Sequence, residues 1–224
     1  MNELVALLQQ ILGGFQAMSA WEYLAVSLSV AYMLLAMQQS AWCWVAGGLS
    51  TLIYTILFFN GALLMESLLN FFYLAMAVYG WLQWRRGQAL GAQANDSQEY
   101  SLPVSSWSLS KNIKLIGITT AVSLGVGFIM DNYTYADFAY LDALTTCFGV
   151  VATYLLTQKI VENWLYWVVI DALSIYLYVC KGYFPTVVLF CFYTVLAAVN
   201  YYQWHKSMRA CSGASSSACN VTNS

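Results

Sequence analysis

One carboxylate in this chain of 224 residues stands apart from the other charges. Asp171 lies near the middle of an apolar run over 163–180, where an unpaired charge costs on the order of 3 kcal/mol. No lysine or arginine occurs inside any apolar run to pair with it. Two roles are open to such a group: a protonated or hydrogen-bonded structural part, or a partner for a cationic substrate. At helical spacing the same run carries Trp164, Trp167, Ser174 and Tyr178. Other runs present similar faces: Asn70, Tyr73, Ala77, Gly80 and Trp84; Gly47, Ser50, Thr51 and Tyr54; Asp142, Thr145, Thr146 and Thr153; Tyr193, Ala197, Asn200 and Trp204. Aromatic rings stack, while Asn, Ser, Thr and Tyr bond hydroxyls, so these faces together suit a flat ring joined to a polyhydroxyl group.

Ordinary explanations compete for the same residues. Trp42, Trp44, Trp81, Trp84, Trp164 and Trp204 fall near the ends of apolar runs, where interfacial anchoring accounts for most of them. Ser and Thr in membrane helices bond backbone carbonyls and neighbouring helices. Gly47, Gly48, Gly125 and Gly127 read as close-packing positions, and Glu22 as interfacial.

The elements that must position these groups are membrane helices. With 61% hydrophobic and 8% charged residues, the chain cannot clothe a soluble domain, which needs about a quarter charged. Its apolar residues form long runs without the alternating segments of a β-barrel. Spans are predicted at 21–37, 41–59, 62–84, 112–130, 137–157, 163–180 and 184–204. Residues 1–20 are too short to cross and read as an interfacial amphipathic helix. Residues 85–111 are polar and open an 85–136 unit of cytoplasmic linker plus linking span; 207–224 reads as a disordered tail.

The spans repeat. Shifting by 120 residues lays Tyr73 on Tyr193, Ala77 on Ala197, Gln83 on Gln203, Trp84 on Trp204 and Gln38 on Gln158. Trp42 and Tyr54 fall on Trp164 and Tyr176 at an offset of 122, and Gly61 on Gly182 at 121. The expected architecture is therefore an all-α membrane protein with seven transmembrane helices in a 3+1+3 arrangement. Repeats 21–84 and 137–206 run parallel, as in sugar facilitators of the SWEET type, and a substrate site falls between them. Arg85, Arg86, Lys111, Lys114, Lys159, Lys206 and Arg209 fall on one side and Lys181 on the other, which puts the linker and C-terminus in the cytoplasm and the N-terminus outside.

Several classes are excluded. His205 is the one histidine, so neither a Ser-His-Asp site nor a multi-histidine metal site can be assembled within a span. No basic patch points to nucleic acid, no Walker-type loop to a nucleotide, and no lysine in the last span to retinal.

The chain resembles the PnuC family of vitamin transporters over residues 20–206. The resemblance rests on Asn70 with Tyr73, Tyr79-Gly80-Trp81 with Trp84, Glu162-Asn163-Trp164 with Trp167 and Asp171, Lys181-Gly182, and Tyr193 through Trp204. Asn200 departs from the pattern, standing where Gly80 stands in the first repeat. The resemblance implies an inner-membrane homotrimer without cofactors, in the lipid bilayer, importing nicotinamide riboside by facilitated diffusion. A cytoplasmic riboside kinase would trap the product. Thiamine, riboflavin or a sugar are the alternative cargoes. On this reading Asp171 and Trp167 hold the pyridinium, with Asn70, Tyr73, Ser50, Tyr54, Ser174, Tyr193 and Asn200 as further substrate-binding residues. Asn200 is the asymmetric member of that set.

Overall fold

The computed structural model of the chain describes residues 2–60, 64–92, 102–134 and 138–221. Within them run eight helices: α1 (Asn2–Ala17), α2 (Ala20–Met37), α3 (Trp42–Asn60), α4 (Leu64–Ala92), α5 (Leu109–Tyr133), α6 (Ala139–Thr157), α7 (Asn163–Cys180) and α8 (Phe184–Val221). Six of these (α2, α3, α5, α6, α7 and α8) are long and apolar enough to cross a bilayer. The chain is a multi-pass, all-helical membrane protein. Gly61, the middle of the linker (93–101) and residues 222–224 lie outside the described residues.

Two helices outrun their predicted spans. α4 continues past Arg85 and Arg86 to Ala92, and α8 continues to Val221, so 207–221, read as a disordered tail, is drawn as helix. Neither extension contains proline, and an isolated glycine such as Gly87 or Gly213 costs only about 1 kcal/mol in a helix. That is too little to stop a helix already nucleated by a long apolar run.

The packing closes a ring. α2 lies on α3, α3 on α4, α4 on α6, α6 on α7, α7 on α8, and α8 returns to α2. α5 sits outside this ring against α6, and α1 against α8. The first three-helix unit thus meets the second along two seams, α4–α6 and α2–α8. Exchanging the units exchanges the seams.

That equivalence holds bond for bond at the end of the bundle nearest the linker. In the α2–α3 turn, Gln39 N–H donates to Ala36 O, Ser40 N–H to Leu35 O and Cys43 N–H to Ser40 O, each at 3.0 Å. In the α6–α7 turn, 120 residues later, Lys159 N–H donates to Leu156 O (3.0 Å), Ile160 N–H to Leu155 O (3.0 Å) and Asn163 N–H to Ile160 O (3.2 Å). Gln39 and Lys159 both take the left-handed conformation, φ 55° and 52°. For a residue with a side chain this costs on the order of 1–3 kcal/mol, and it recurs here because one turn is used twice.

The turns also correct the register between α3 and α7. The offset there is 120, not 122, so the counterpart of Trp164 is Trp44. These two are buried, whereas Trp42 is 60% exposed. The anchoring explanation survives for Trp42 and fails for Trp44, Trp84, Trp164 and Trp204, all inside the core. Trp44 meets Trp84 edge-on (centroids 5.5 Å apart), Trp164 meets Trp204 likewise (5.4 Å), and Trp84 and Trp204 join the pairs at 6.0 Å. Across the seams, Trp84 Nε1 donates to Thr157 O (3.1 Å) and Trp204 Nε1 to Ala36 O (2.9 Å).

The tryptophans repeat at a spacing of 120 but their acceptors do not, because Ala36 O also accepts from Gln39 N–H. Trp84→Phe should lower stability by about 1–3 kcal/mol, through a Thr157 carbonyl that loses its indole donor, and Trp204→Phe by about 0.5–1.5 kcal/mol, the loss of one hydrogen bond. Thermal unfolding of the purified protein should show the larger drop in midpoint for Trp84→Phe; the reverse order would overturn this account.

Candidate functional site

The ring of six helices surrounds a cavity of about 710 Å³. Its floor is the Trp44 ring, at the linker end. Its mouth lies at the far end of the bundle, between Glu22 at the start of α2 and Pro185 at the start of α8. Ser19 and Glu22 cap α2 reciprocally, with Ser19 N–H donating to Glu22 Oε2 at 2.6 Å and Glu22 N–H to Ser19 Oγ at 3.3 Å. α1 crosses this mouth: Phe15 and Met18 line it, and Gly14 lies against the Pro185 ring, where a Cβ would come within 2.2 Å. Tyr23 OH donates to Phe15 O and fixes the crossing.

Six of the residues expected at a site do line the cavity: Ser50 and Tyr54 from α3, Asn70 and Tyr73 from α4, Trp167 from α7 and Tyr193 from α8. Several hydroxyls on the wall are already committed. Ser50 Oγ donates to Ala25 O at 2.8 Å and so ties α3 to α2. Thr51 bonds Gly47 O, and Thr153 Oγ1 donates to Gly149 O at 2.8 Å. Tyr193 shares a hydrogen bond with Ser29 across the α2–α8 seam. Towards the mouth, Tyr178 stacks on Phe190 at 5.4 Å and Tyr54 on Phe58 at 5.7 Å, giving flat apolar walls.

Three expected residues stand elsewhere. Asp171 and Ser174 are buried in α7 and are not on the cavity lining described, to which that helix brings Trp167. Among the described residues Asp171 has no salt bridge, and it lies within electrostatic reach of Tyr193. Asn200 is fully buried in α8; its Nδ2 donates to Leu196 O at 2.8 Å, and among the described residues its Oδ1 has no partner. Its counterpart Gly80 lies under the Trp44 ring, where a Cβ would come within 2.3 Å of Cε2. Gly80 thus makes room for Trp44 at the floor, and Asn200 is not on the cavity lining described.

Sequence reasoning missed Ser29, Tyr32 and Gly149. Gly149 is the most informative, because a Cβ there would come within 2.6 Å of Tyr73 OH and 3.9 Å of Trp167 Cη2. Its bare backbone lets Tyr73 and Trp167, from different halves, approach the same point. Among the other glycines, Gly47 abuts Tyr32 and Gly127 abuts Tyr140, both closer than a Cβ allows, whereas Gly125 has nothing within 4 Å.

The charge pattern is simple. Glu22 is the one formally charged side chain on the cavity lining described, and no lysine, arginine or histidine joins it. The cavity can stack a flat ring and bond hydroxyls. It offers no cation to a phosphate.

The family model described as nicotinamide mononucleotide transporter matches residues 19–206. The chain is similar to the nicotinamide riboside transporter PnuC of Escherichia coli, 25% identical over 180 residues that cover 73% of this chain and 75% of the relative. It is also similar to the protein of that name from Neisseria mucosa, 23% identical over 176 residues, covering 75% and 65%. A crystal structure of the vitamin B3 transporter PnuC superposes with a TM-score of 0.70 at 18% identity, over 93% of this chain and 92% of that one. It shares the fold.

Gly149→Ala should destabilise by about 1–3 kcal/mol through overpacking against Tyr73. Gly125→Ala should be neutral or raise stability by up to about 1 kcal/mol, since it adds helix propensity in open space. Paired thermal melts check both.

Proposed function

The chain belongs to the nicotinamide mononucleotide transporter family, a family of transporters and not of enzymes, and from that premise we propose that it carries nicotinamide riboside into the cytoplasm by facilitated diffusion. The observation that carries the choice of cargo is the cavity lining. Nicotinamide riboside is a flat aromatic cation on a ribose, with no phosphate. Trp167 provides a ring face for the pyridinium, a contact of about 0.5–2 kcal/mol depending on desolvation. Asn70, Tyr73 and Tyr54 offer polar groups to the ribose, with the Ser29–Tyr193 pair opposite. Asp171, one helical turn along α7 from Trp167, adds a negative field near the cavity; Ser174 and Asn200 are buried in α7 and α8. A mononucleotide would bring a phosphate to a lining without cations, and burying that charge unpaired is unfavourable.

The mechanism consistent with two equivalent seams is rocking of 21–84 against 137–206 about the cavity, with 85–136 returning the chain so that both repeats run in the same direction. In this reading seven helices span the inner membrane with the linker end in the cytoplasm. That orientation rests on the seven-to-one distribution of lysine and arginine. Assembly as a homotrimer and trapping by a cytoplasmic riboside kinase complete the proposal.

Titration calorimetry of the purified protein should give heat with nicotinamide riboside and at least tenfold weaker binding of the mononucleotide, thiamine and riboflavin. Equal or tighter binding of the mononucleotide would overturn the cargo assignment, as would heat with thiamine or riboflavin alone. Asp171→Asn should weaken riboside binding by about tenfold, one charge interaction of about 1.4 kcal/mol. Unchanged affinity would remove Asp171 from recognition.

A further inference from the structure

The scaffold at the linker end is symmetric, but the residues that hold it shut are not. Each seam carries one indole-to-carbonyl bond, Trp84 to Thr157 on α4–α6 and Trp204 to Ala36 on α2–α8. The left-handed residue beside each bond differs. On the α2–α3 turn it is Gln39, half-buried; on the α6–α7 turn it is Lys159, 1% exposed. Lys159 Nζ lies 4.6 Å from the centroid of the Trp84 ring, across the α4–α6 seam. Gln158 Nε2 adds a bond to Tyr79 OH at 3.1 Å across the same seam.

The α6–α7 turn is also backed by the end of the linker. Ser105 N–H donates to Lys159 O (3.1 Å), Val161 N–H donates to Ser105 O (2.9 Å), and Trp107 N–H donates to Glu162 Oε2 (3.2 Å). Leu102 and Val104 pack on the tryptophan cluster from that side. Burial brings the Lys159 ammonium down to about 8, which leaves it charged at neutral pH. A buried ammonium is costly unless something faces it, and the π-face of a desolvated tryptophan is the strongest aromatic partner for it.

We propose that Lys159 is a latch: its ammonium on Trp84 holds the α4–α6 seam closed at the linker end, so that the α2–α8 seam parts first when the halves rock. The two seams then do different jobs despite their common origin. The Lys159 seam is the joint, and the Gln39 seam is the exit. Lys159 is a positioning residue in this scheme, since it does not touch the cavity.

The inference rests on the rocking reading, and its test is run without substrate so that the two can fail separately. Cys43, fully buried on the first turn of α3 and in electrostatic contact with Lys159, reports opening beside the latch. With the other five cysteines replaced by serine, alkylation of Cys43 by a membrane-permeant maleimide is timed in Lys159→Met and Lys159→Arg. Lys159→Met keeps the length and removes the charge, and should raise the rate about ten- to thirtyfold, the equivalent of one desolvated cation–π contact. Lys159→Arg keeps a cation that can stack on Trp84 and should stay near the parent rate. An unchanged rate in Lys159→Met overturns the latch. So does a rate in Lys159→Arg as fast as in Lys159→Met, which would make the effect one of packing. Lys159→Gln is the second charge-free variant, and should match Lys159→Met if the latter does not purify as folded protein; the parent rate there also overturns the latch. Failure of riboside uptake in the parent itself would sink the cargo assignment and leave these rates readable.

Discussion

Two indole N–H groups, Trp84 Nε1 and Trp204 Nε1, each reach from one half of the protein to a backbone carbonyl at the end of a helix in the other. The last carbonyls of a helix have no partner of their own, and in a membrane protein water cannot be relied on to supply one. Thr157 O, which closes α6, takes its indole bond in that position, while Ala36 O, in the last turn of α2, takes one beside the Gln39 N–H it already accepts. These contacts fix α4 on α6 and α8 on α2. With both seams fixed the ring closes and its centre becomes a cavity. The floor of that cavity, Trp44, is held edge-on by Trp84, a member of the same network.

Symmetry of the scaffold and asymmetry of the cavity come from different residues. The turns, the four core tryptophans and the paired alanines Ala77 and Ala197 repeat at a spacing of 120. The lining does not. Gly47 of α3 lies opposite Trp167 of α7, and Thr51 opposite Asp171, at that same spacing. The two halves therefore present unlike residues at equivalent positions, with rings and hydroxyls from both on the lining. A substrate with one charged aromatic end and one hydroxylated end is itself asymmetric, and a wall of this kind can hold it in a single orientation.

Much of the polar content of the wall serves the scaffold. Ser50, Thr51 and Thr153 satisfy backbone carbonyls, as hydroxyls in membrane helices commonly do. The aromatic faces and polar groups such as Asn70 and Tyr73 share that lining, and the placement of Tyr73 depends on a neighbour as small as Gly149. A small loss of room at such a point moves a functional group without altering any residue that contacts a ligand.

The sequence by itself determined that this is a helical membrane protein, and its recurring residues point to two copies of one unit. Hydropathy and charge scarcity are properties of composition, and a repeat is visible wherever identical residues recur at a fixed interval. It also brought forward six residues that line the cavity, because helical periodicity assigns side chains to faces. It misjudged the tryptophans and Asn200, since periodicity says which residues share a face and not what that face meets: lipid headgroups, a cavity or another helix. The register of α3 against α7 was ambiguous by two residues, with Trp42 and Trp44 both available, until the hydrogen bonds of the two turns decided it. Only the tertiary structure could put Lys159 on Trp84 and Gly149 beneath Tyr73. These contacts join residues 75 and 76 positions apart, and they exist only because the ring of helices closes.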